Sequence, residues 1–387
     1  MNQQANQDRR SFLRKSVIAS VTAGIAPAAY AANQEDAPSK NNNILNFSGD
    51  MRYRAVGDTG VSLSVISLGG LVNEPPVNAY AIDHGVNLCH ISTSYHGGES
   101  IKKLGELMKT HRDRVYIALK DNFLPHEFTS VDDDLDKFKD VLDTLNTDYI
   151  DFLMFNRHDA ESARDPQIEE RFEALKEKGV VRYCGLTTHG DIKGSVAAGI
   201  DFGVYNLIMP VLNQPNLELL DAEMKRAHEK GMGFMGMKTM KGQNTEEMQM
   251  AYLKKLLVNP AVATVNKGIG SFSMFDNWLE TTQQALSMSE DRALYKYAQA
   301  NRANNCMMCD ECHRACPDNV AISTVLRCKD YYWEETRDWQ TAVGTYHELP
   351  APARISDRCR DCTICEETCP NGIKIKERLY SAHQLFA

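Results

Sequence analysis

The sequence predicts an α/β fold, a closed (β/α)8 TIM barrel followed by a smaller cysteine-bearing unit. Two observations predict it: between Val61 and Asn266 eight short apolar runs alternate with longer amphipathic stretches, and beyond residue 300 eight cysteines fall into two equally spaced groups. Eight strands separated by helices within about 210 residues close into a parallel barrel rather than an open sheet. The chain's 387 residues also exceed what one core usually fills, which leaves room for a second unit.

Near the N-terminus the chain runs Asp8-Arg9-Arg10-Ser11-Phe12-Leu13-Arg14-Lys15, then an apolar run from Val17 to about Ala29, then Ala29-Tyr30-Ala31. A basic start, a modest apolar run and an Ala-x-Ala end have the layout of a cleaved signal, and the paired arginines point to the twin-arginine route. Residues 1–31 are therefore expected to direct export to the periplasm. The apolar run is short of the ~20 residues needed to span a bilayer. Residues 32–50 are polar and turn-rich and read as a linker. Without the leader the chain holds 39 basic and 51 acidic residues, a formal charge of −12. Such an excess argues against nucleic acid or an anionic membrane surface as the main partner.

Within the expected barrel, residues 51–287, the strands are placed near Val65–Leu68, Val86–Ile91, Val115–Lys120, Ile150–Phe155, Val180–Leu186, Val204–Ile208, Gly233–Lys238 and Val262–Asn266. Helical spacing is clearest over Asp134–Leu145, Ile168–Lys178 and Leu217–Lys230, the last ending in basic residues with Gly231 just beyond. Chemistry in such barrels sits at the C-terminal ends of the strands. Those ends carry Cys89-His90, Lys120-Asp121, Asn156-Arg157-His158, Thr187-Thr188-His189, Lys238 and Asn266-Lys267. His90, His158 and His189 all follow strands that end at this mouth, which admits a metal or proton-transfer cluster beside the blander reading of structural histidines. Cys89, Cys184 and Cys328 are expected to be buried and inert.

Residues 288–387 form the second expected unit. Cys306, Cys309, Cys312 and Cys316-Pro317 are spaced C-x2-C-x2-C-x3-C-P, and Cys359, Cys362, Cys365 and Cys369-Pro370 repeat that spacing. Three closely spaced thiolates can wrap one iron–sulfide cube while the cysteine before proline ligates the other. The expected sets are Cys306, Cys309, Cys312 and Cys369 for one [4Fe-4S] cluster, and Cys359, Cys362, Cys365 and Cys316 for a second. Zinc is the weaker alternative, because a third cysteine after two residues and a fourth before proline suit a cube. Cys309-Asp310-Glu311-Cys312-His313 also spells a haem-attachment motif, but the cluster pattern already uses both cysteines. The 42 residues between the motifs include Tyr331, Tyr332, Trp333, Trp339 and Tyr346. Aromatic residues at this density are expected to cover the clusters or pack against the barrel.

Several segments carry a more specific resemblance. Tyr53-Arg54-Ala55-Val56-Gly57-Asp58-Thr59-Gly60, the run from Gly85-Val86-Asn87 to Tyr95, the lysine ending Val115–Lys120 and Asp148-Tyr149-Ile150-Asp151 resemble the aldo-keto reductase family. Gly185-Leu186-Thr187-Thr188-His189 and Gly233–Lys238 extend the likeness, which is nearest to a branch with a ferredoxin-like C-terminal extension. The resemblance implies a tyrosine acid at Tyr95 and its lysine at Lys120. It places His90 where the family has an aspartate and Asn156 where it has a histidine. It further implies NADP(H), with Thr187 and Thr188 near the carboxamide and Lys267, Gly268 and Gly270 near a phosphate.

Together these readings give an exported iron–sulfur oxidoreductase that acts on a carbonyl or alcohol-like small molecule and exchanges electrons with an exported or membrane-bound carrier. Carbonyl reduction with NADP(H) loaded before export, and a catalytically silent barrel serving as an electron-relay or docking module, are the alternatives.

Overall fold

The computed structural model describes residues 44–69, 74–240, 245–335 and 337–387. The leader and residues 32–43 of the linker lie outside the described residues. From Leu45 the chain is already anchored: the Asn46 amide donates to the carbonyls of Ile82 and Val86 at 2.6 and 3.0 Å, and Asn87 donates to Leu45 at 3.0 Å. The anchored chain thus starts inside the segment expected to be a linker.

A hairpin of β1 (Tyr53–Ala55) and β2 (Ser62–Ser64) precedes the barrel and has no counterpart in the sequence reading. Its buried Arg54 explains why it stays: the guanidinium donates to the main-chain oxygens of Leu257, Asn259 and Val262 at 2.5–2.9 Å. These bonds tie the hairpin to the chain between α7 and β10.

The barrel strands are β3 (Ile66–Leu68), β4 (Leu88–Ile91), β5 (Tyr116–Lys120), β6 (Ile150–Asn156), β7 (Val181–Thr188), β8 (Leu207–Pro210), β9 (Gly233–Gly236) and β10 (Val262–Lys267). They close in sequence order, with β10 pairing β3, and every barrel pair is parallel. All eight sequence-predicted strands are found. The register sets Lys120 beside Met154 and Asn156 beside Thr187, so these side chains come from the same rim.

Outside the strands run α1 (Pro75–Asp83), α2 (Glu99–His111), α3 (Val131–Leu145), α4 (Pro166–Glu177), α5 (Ile192–Phe202), α6 (Gln214–Glu229), α7 (Glu246–Val258) and α8 (Phe272–Thr282). Local chemistry fixes their ends. Ser130, Asp165 and Thr245 accept a first-turn N–H at the starts of α3, α4 and α7, and left-handed Asn146 and Gly203 end α3 and α5.

Helix α9 (Met288–Asn301) begins with a reciprocal capping box between Ser287 and Glu290. It belongs to the barrel side, because Lys254 of α7 pairs with Glu290 and Lys255 pairs with Asp291 at 2.7 Å. Leu294 enters the barrel core. Beyond Lys267 the described residues contain no strand. The C-terminal segment is helix and loop around its own small core, which includes Val320, Val325, Tyr346, Ile375 and Phe386.

That segment is joined to the barrel. Ile192 N–H donates to the Met308 carbonyl at 3.0 Å, Arg314 pairs with Asp191 at 2.7 Å, and Met308 packs into the barrel core.

Candidate active site at the barrel mouth

Lys120, Tyr95 and His90 come together at the rim. Lys120 leaves the end of β5 and is buried, with its ammonium 5.6 Å from the centre of the Tyr95 ring. Tyr95 opens a tight turn after β4 whose next residues, His96 and Gly97, take positive φ. The His90 ring lies 6.1 Å from the Tyr95 ring. Among the described residues no carboxylate reaches ion-pair range of Lys120.

The residue in place of the family's aspartate is held neutral. Burial and then the Lys120 charge keep the His90 imidazole well below its ordinary range. Its Nδ1 lies 3.3 Å from the Asn266 amide nitrogen, which can only donate. The neutral ring therefore carries its proton on Nε2, and that buried N–H has no partner. Asn156 likewise has a buried side-chain oxygen without a partner.

Asp121 does not serve Lys120. It accepts from the Asn156 N–H at 2.9 Å and pairs with Arg157 at 2.7 Å. Glu99 pairs with exposed Lys102, and Asp159 accepts N–H groups of its own turn, so neither supplies the missing anion.

The three histidines do not form one cluster. His158 and His189 stack edge-on at 5.6 Å, and the His158 Nδ1 accepts the His189 N–H at 3.1 Å. His90 stands apart against Tyr95 and Asn266. Among the described residues no three His, Cys, Asp or Glu side chains are placed to hold a single metal ion. Burial keeps both His158 and His189 well below the ordinary histidine range, reinforced by Lys120, Lys238 and Arg327.

On the side expected to meet a nucleotide, Thr187 is buried with its hydroxyl unpartnered, while the Thr188 hydroxyl is used by the Gly190 carbonyl at 2.9 Å. Lys267 lies over the Trp278 ring at 5.2 Å, and burial lowers its pKa. Gly268 and Gly270 have open space where a side chain would stand, just before the N-terminus of α8. Thr187, Gly268 and Gly270 fit a carboxamide and a phosphate, whereas Thr188 is already engaged.

The C-terminal segment contributes residues that the motifs did not reveal. Tyr331 places its ring 3.2 Å from the Lys238 ammonium, and Lys238 itself is at positive φ. Arg327 is buried, its Nε has no partner, and a side chain added at Gly190 would stand 3.9 Å from its Nη1. A cavity of about 380 Å³ is lined by Arg327, Cys306, Met308, Asp330 and Arg378 among others, and neither Tyr95 nor Lys120 lines it. The length of the insert between the cysteine motifs was the only sequence hint of Arg327.

The cysteines assemble in two sets. Burial pushes the Cys312 thiol up, and neighbouring Cys306, Cys309 and Cys369 act in the same direction. Burial likewise raises Cys359, which neighbours Cys316 and Cys362, and raises Cys365 to about 11, with Cys359 and Cys362 beside it. Cys316, Cys359, Cys362 and Cys365 also line one cleft with Pro317 and Lys376. None of the eight is in a disulfide. Cys89, Cys184 and Cys328 are buried, as expected, and burial raises their thiols, Cys89 to about 12 and Cys328 to about 11.

The sequence profile described as Aldo/keto reductase family matches residues 76–288. Among solved structures, an aldo-keto reductase from Bacillus halodurans in its holo form is 20% identical with a TM-score of 0.51, covering 64% of this chain and 96% of its own. PA4992 of Pseudomonas aeruginosa, described as an aldo-keto reductase, is 21% identical with a TM-score of 0.50, covering 61% of this chain and 95% of its own. No curated protein matches the sequence significantly. At these identities the two structures speak to the fold, while the profile spans more than half of the 387 residues. With Tyr95 and Lys120 at its rim, the chain belongs to the aldo/keto reductase family.

Proposed function

We propose that the protein is an exported oxidoreductase that interconverts a carbonyl and an alcohol on a small molecule at the barrel mouth, with electrons entering or leaving through two [4Fe-4S] clusters. One observation carries the reading: two sets of four cysteines, each drawn from both motifs, sit on a segment bonded to the barrel at Ile192 and Asp191. Cys369 neighbours Cys309 and Cys312, and Cys316 neighbours Cys359 and shares a cleft with Cys362 and Cys365, a crossed arrangement that suits two cubes.

When bound, the clusters supply one-electron transfer. The chain's own residues handle protons and orientation. Reduction of the carbonyl to the alcohol takes up two electrons and two protons. Tyr95 gives one proton to the carbonyl oxygen, and the nearby Lys120 stabilises the phenolate left behind. The second proton comes from water, and an exported or membrane-bound carrier is the external electron partner. The His90 Nε2 and the Asn156 side-chain oxygen are further polar groups near this site, buried and without partners.

Thr187, Gly268 and Gly270 favour a second reading, a nicotinamide nucleotide loaded before export. The deciding experiment is anaerobic purification followed by iron and sulfide analysis and mass spectrometry of released small molecules. About eight irons per chain with no nucleotide supports the first reading. A colourless protein carrying NADP(H) supports the second and rejects the first.

A further inference from the structure

Two buried cations stand near the barrel mouth. Lys120 and Arg327 are buried, and among the described residues neither has a carboxylate in ion-pair range. Lys238 lies over Tyr331, and Arg157 is already paired with Asp121. The groups acting most strongly on His158 and His189 include Lys120, Lys238 and Arg327 but no carboxylate. Both histidines are held uncharged, by burial first and then by these cations. Arg327 cannot respond in that way, since a guanidinium stays charged in proteins. A buried cation with a vacant donor is costly unless an anion completes it.

We propose that the barrel mouth binds an anionic small molecule, whose carboxylate or phosphate is received by Arg327 of the C-terminal segment beside Lys238 and the His158–His189 pair. The inference rests on the reading that substrate reacts at this mouth, and it deepens that reading by naming the substrate class as anionic carbonyl compounds. Arg327 also faces the cavity that Cys306 lines, so the same side chain borders both the anion and one thiol of the first cysteine set. The planar guanidinium suits carboxylate or phosphate by paired hydrogen bonds, which a lysine reproduces only in charge.

The test is calorimetric binding to the anaerobically purified full chain at low ionic strength, with pyruvate, acetone, inorganic phosphate and NADPH as probes. Pyruvate is expected to bind at least about tenfold more tightly than acetone, and phosphate is expected to compete with it. Arg327→Gln should weaken pyruvate by about tenfold or more, and Arg327→Lys by less, with iron content and circular dichroism unchanged. Should Arg327→Gln lose iron, the Arg327→Lys comparison and the phosphate competition decide. Pyruvate binding no better than acetone, or unaffected by both Arg327 variants, overturns the proposal. NADPH binding alone, lost in Arg327→Gln, keeps the anion site and assigns it to a nucleotide phosphate. Tyr95→Phe should still bind pyruvate. If that variant also keeps full turnover, the catalytic reading fails while the anion site stands.

Discussion

Lys120 faces Tyr95 across 5.6 Å, and the side chain that stands in for the family's aspartate, His90, is an uncharged imidazole. The lysine is thus a cation without a fixed counter-ion, directed at the tyrosine through proximity and burial. Such a pair can lower the cost of a phenolate, but a carboxylate no longer holds it in place.

Tyr95→Phe should abolish proton delivery and reduce turnover by about 10²-fold or more, with iron content unchanged. Single-turnover oxidation of dithionite-reduced protein by a carbonyl substrate measures it. Wild-type rates in this variant would leave the barrel without a catalytic tyrosine.

Stability should fall as the medium is acidified. His90 and His189 sit well below their unfolded value of about 6.5, so between those limits the unfolded chain binds more protons than the folded one. Their contribution is fully present above pH 6.5 and is lost as pH drops, by about 1.4 kcal/mol per pH unit for each histidine. Urea midpoints at pH 7.5 and 5.5 check this. The drop should be smaller in His189→Gln, and an equal drop in that variant would show that other groups set the slope.

Asp151, in the Asp148–Asp151 motif, serves the fold and not the reaction. It is buried, accepts from Arg112 at 3.1 Å, from Arg182 at 3.2 Å and from the Ile117 N–H at 2.9 Å. Asp151→Ala should destabilise by about 3–5 kcal/mol by orphaning Arg112 and that N–H, and Asp151→Asn by less. Chemical denaturation of both variants gives the order.

Cys369→Ser should damage the cluster of Cys306, Cys309 and Cys312, and Cys316→Ser the cluster of Cys359, Cys362 and Cys365. Double variants read by electron paramagnetic resonance distinguish this: Cys369→Ser joined to Cys306→Ser should perturb one signal only. Perturbation of both signals would mean that each motif serves its own cluster.

The barrel was legible because its strands are apolar runs of the right length, and their polar ends mark the rim. Boundaries slipped by one to three residues where an apolar residue such as Val86 or Val204 precedes the hydrogen-bonded ladder. The β1–β2 hairpin was missed because each strand has three residues, too few for alternation to register. At the rim, the positions of Tyr95, Lys120, His90 and Asn156 at or just after strand ends could be read from motif and strand pattern. Arg327 was not, because nothing local tells a buried arginine from an exposed one. Nor could spacing show that Asp121 turns to Arg157, or that His90 parts from His158 and His189.

The tie between Ile192 and Met308 runs through main-chain atoms, so it does not depend on the identity of either side chain so long as residue 192 keeps its N–H. Met308 sits between Cys306 and Cys309, and its side chain is part of the barrel's apolar interior. The loop that would grip iron is therefore also a staple of the enzyme body. If the cysteines bind clusters as proposed, the loop that holds Cys306 and Cys309 is also the one that ties Arg327's segment to the barrel, so metal loading and the seating of that segment would be coupled.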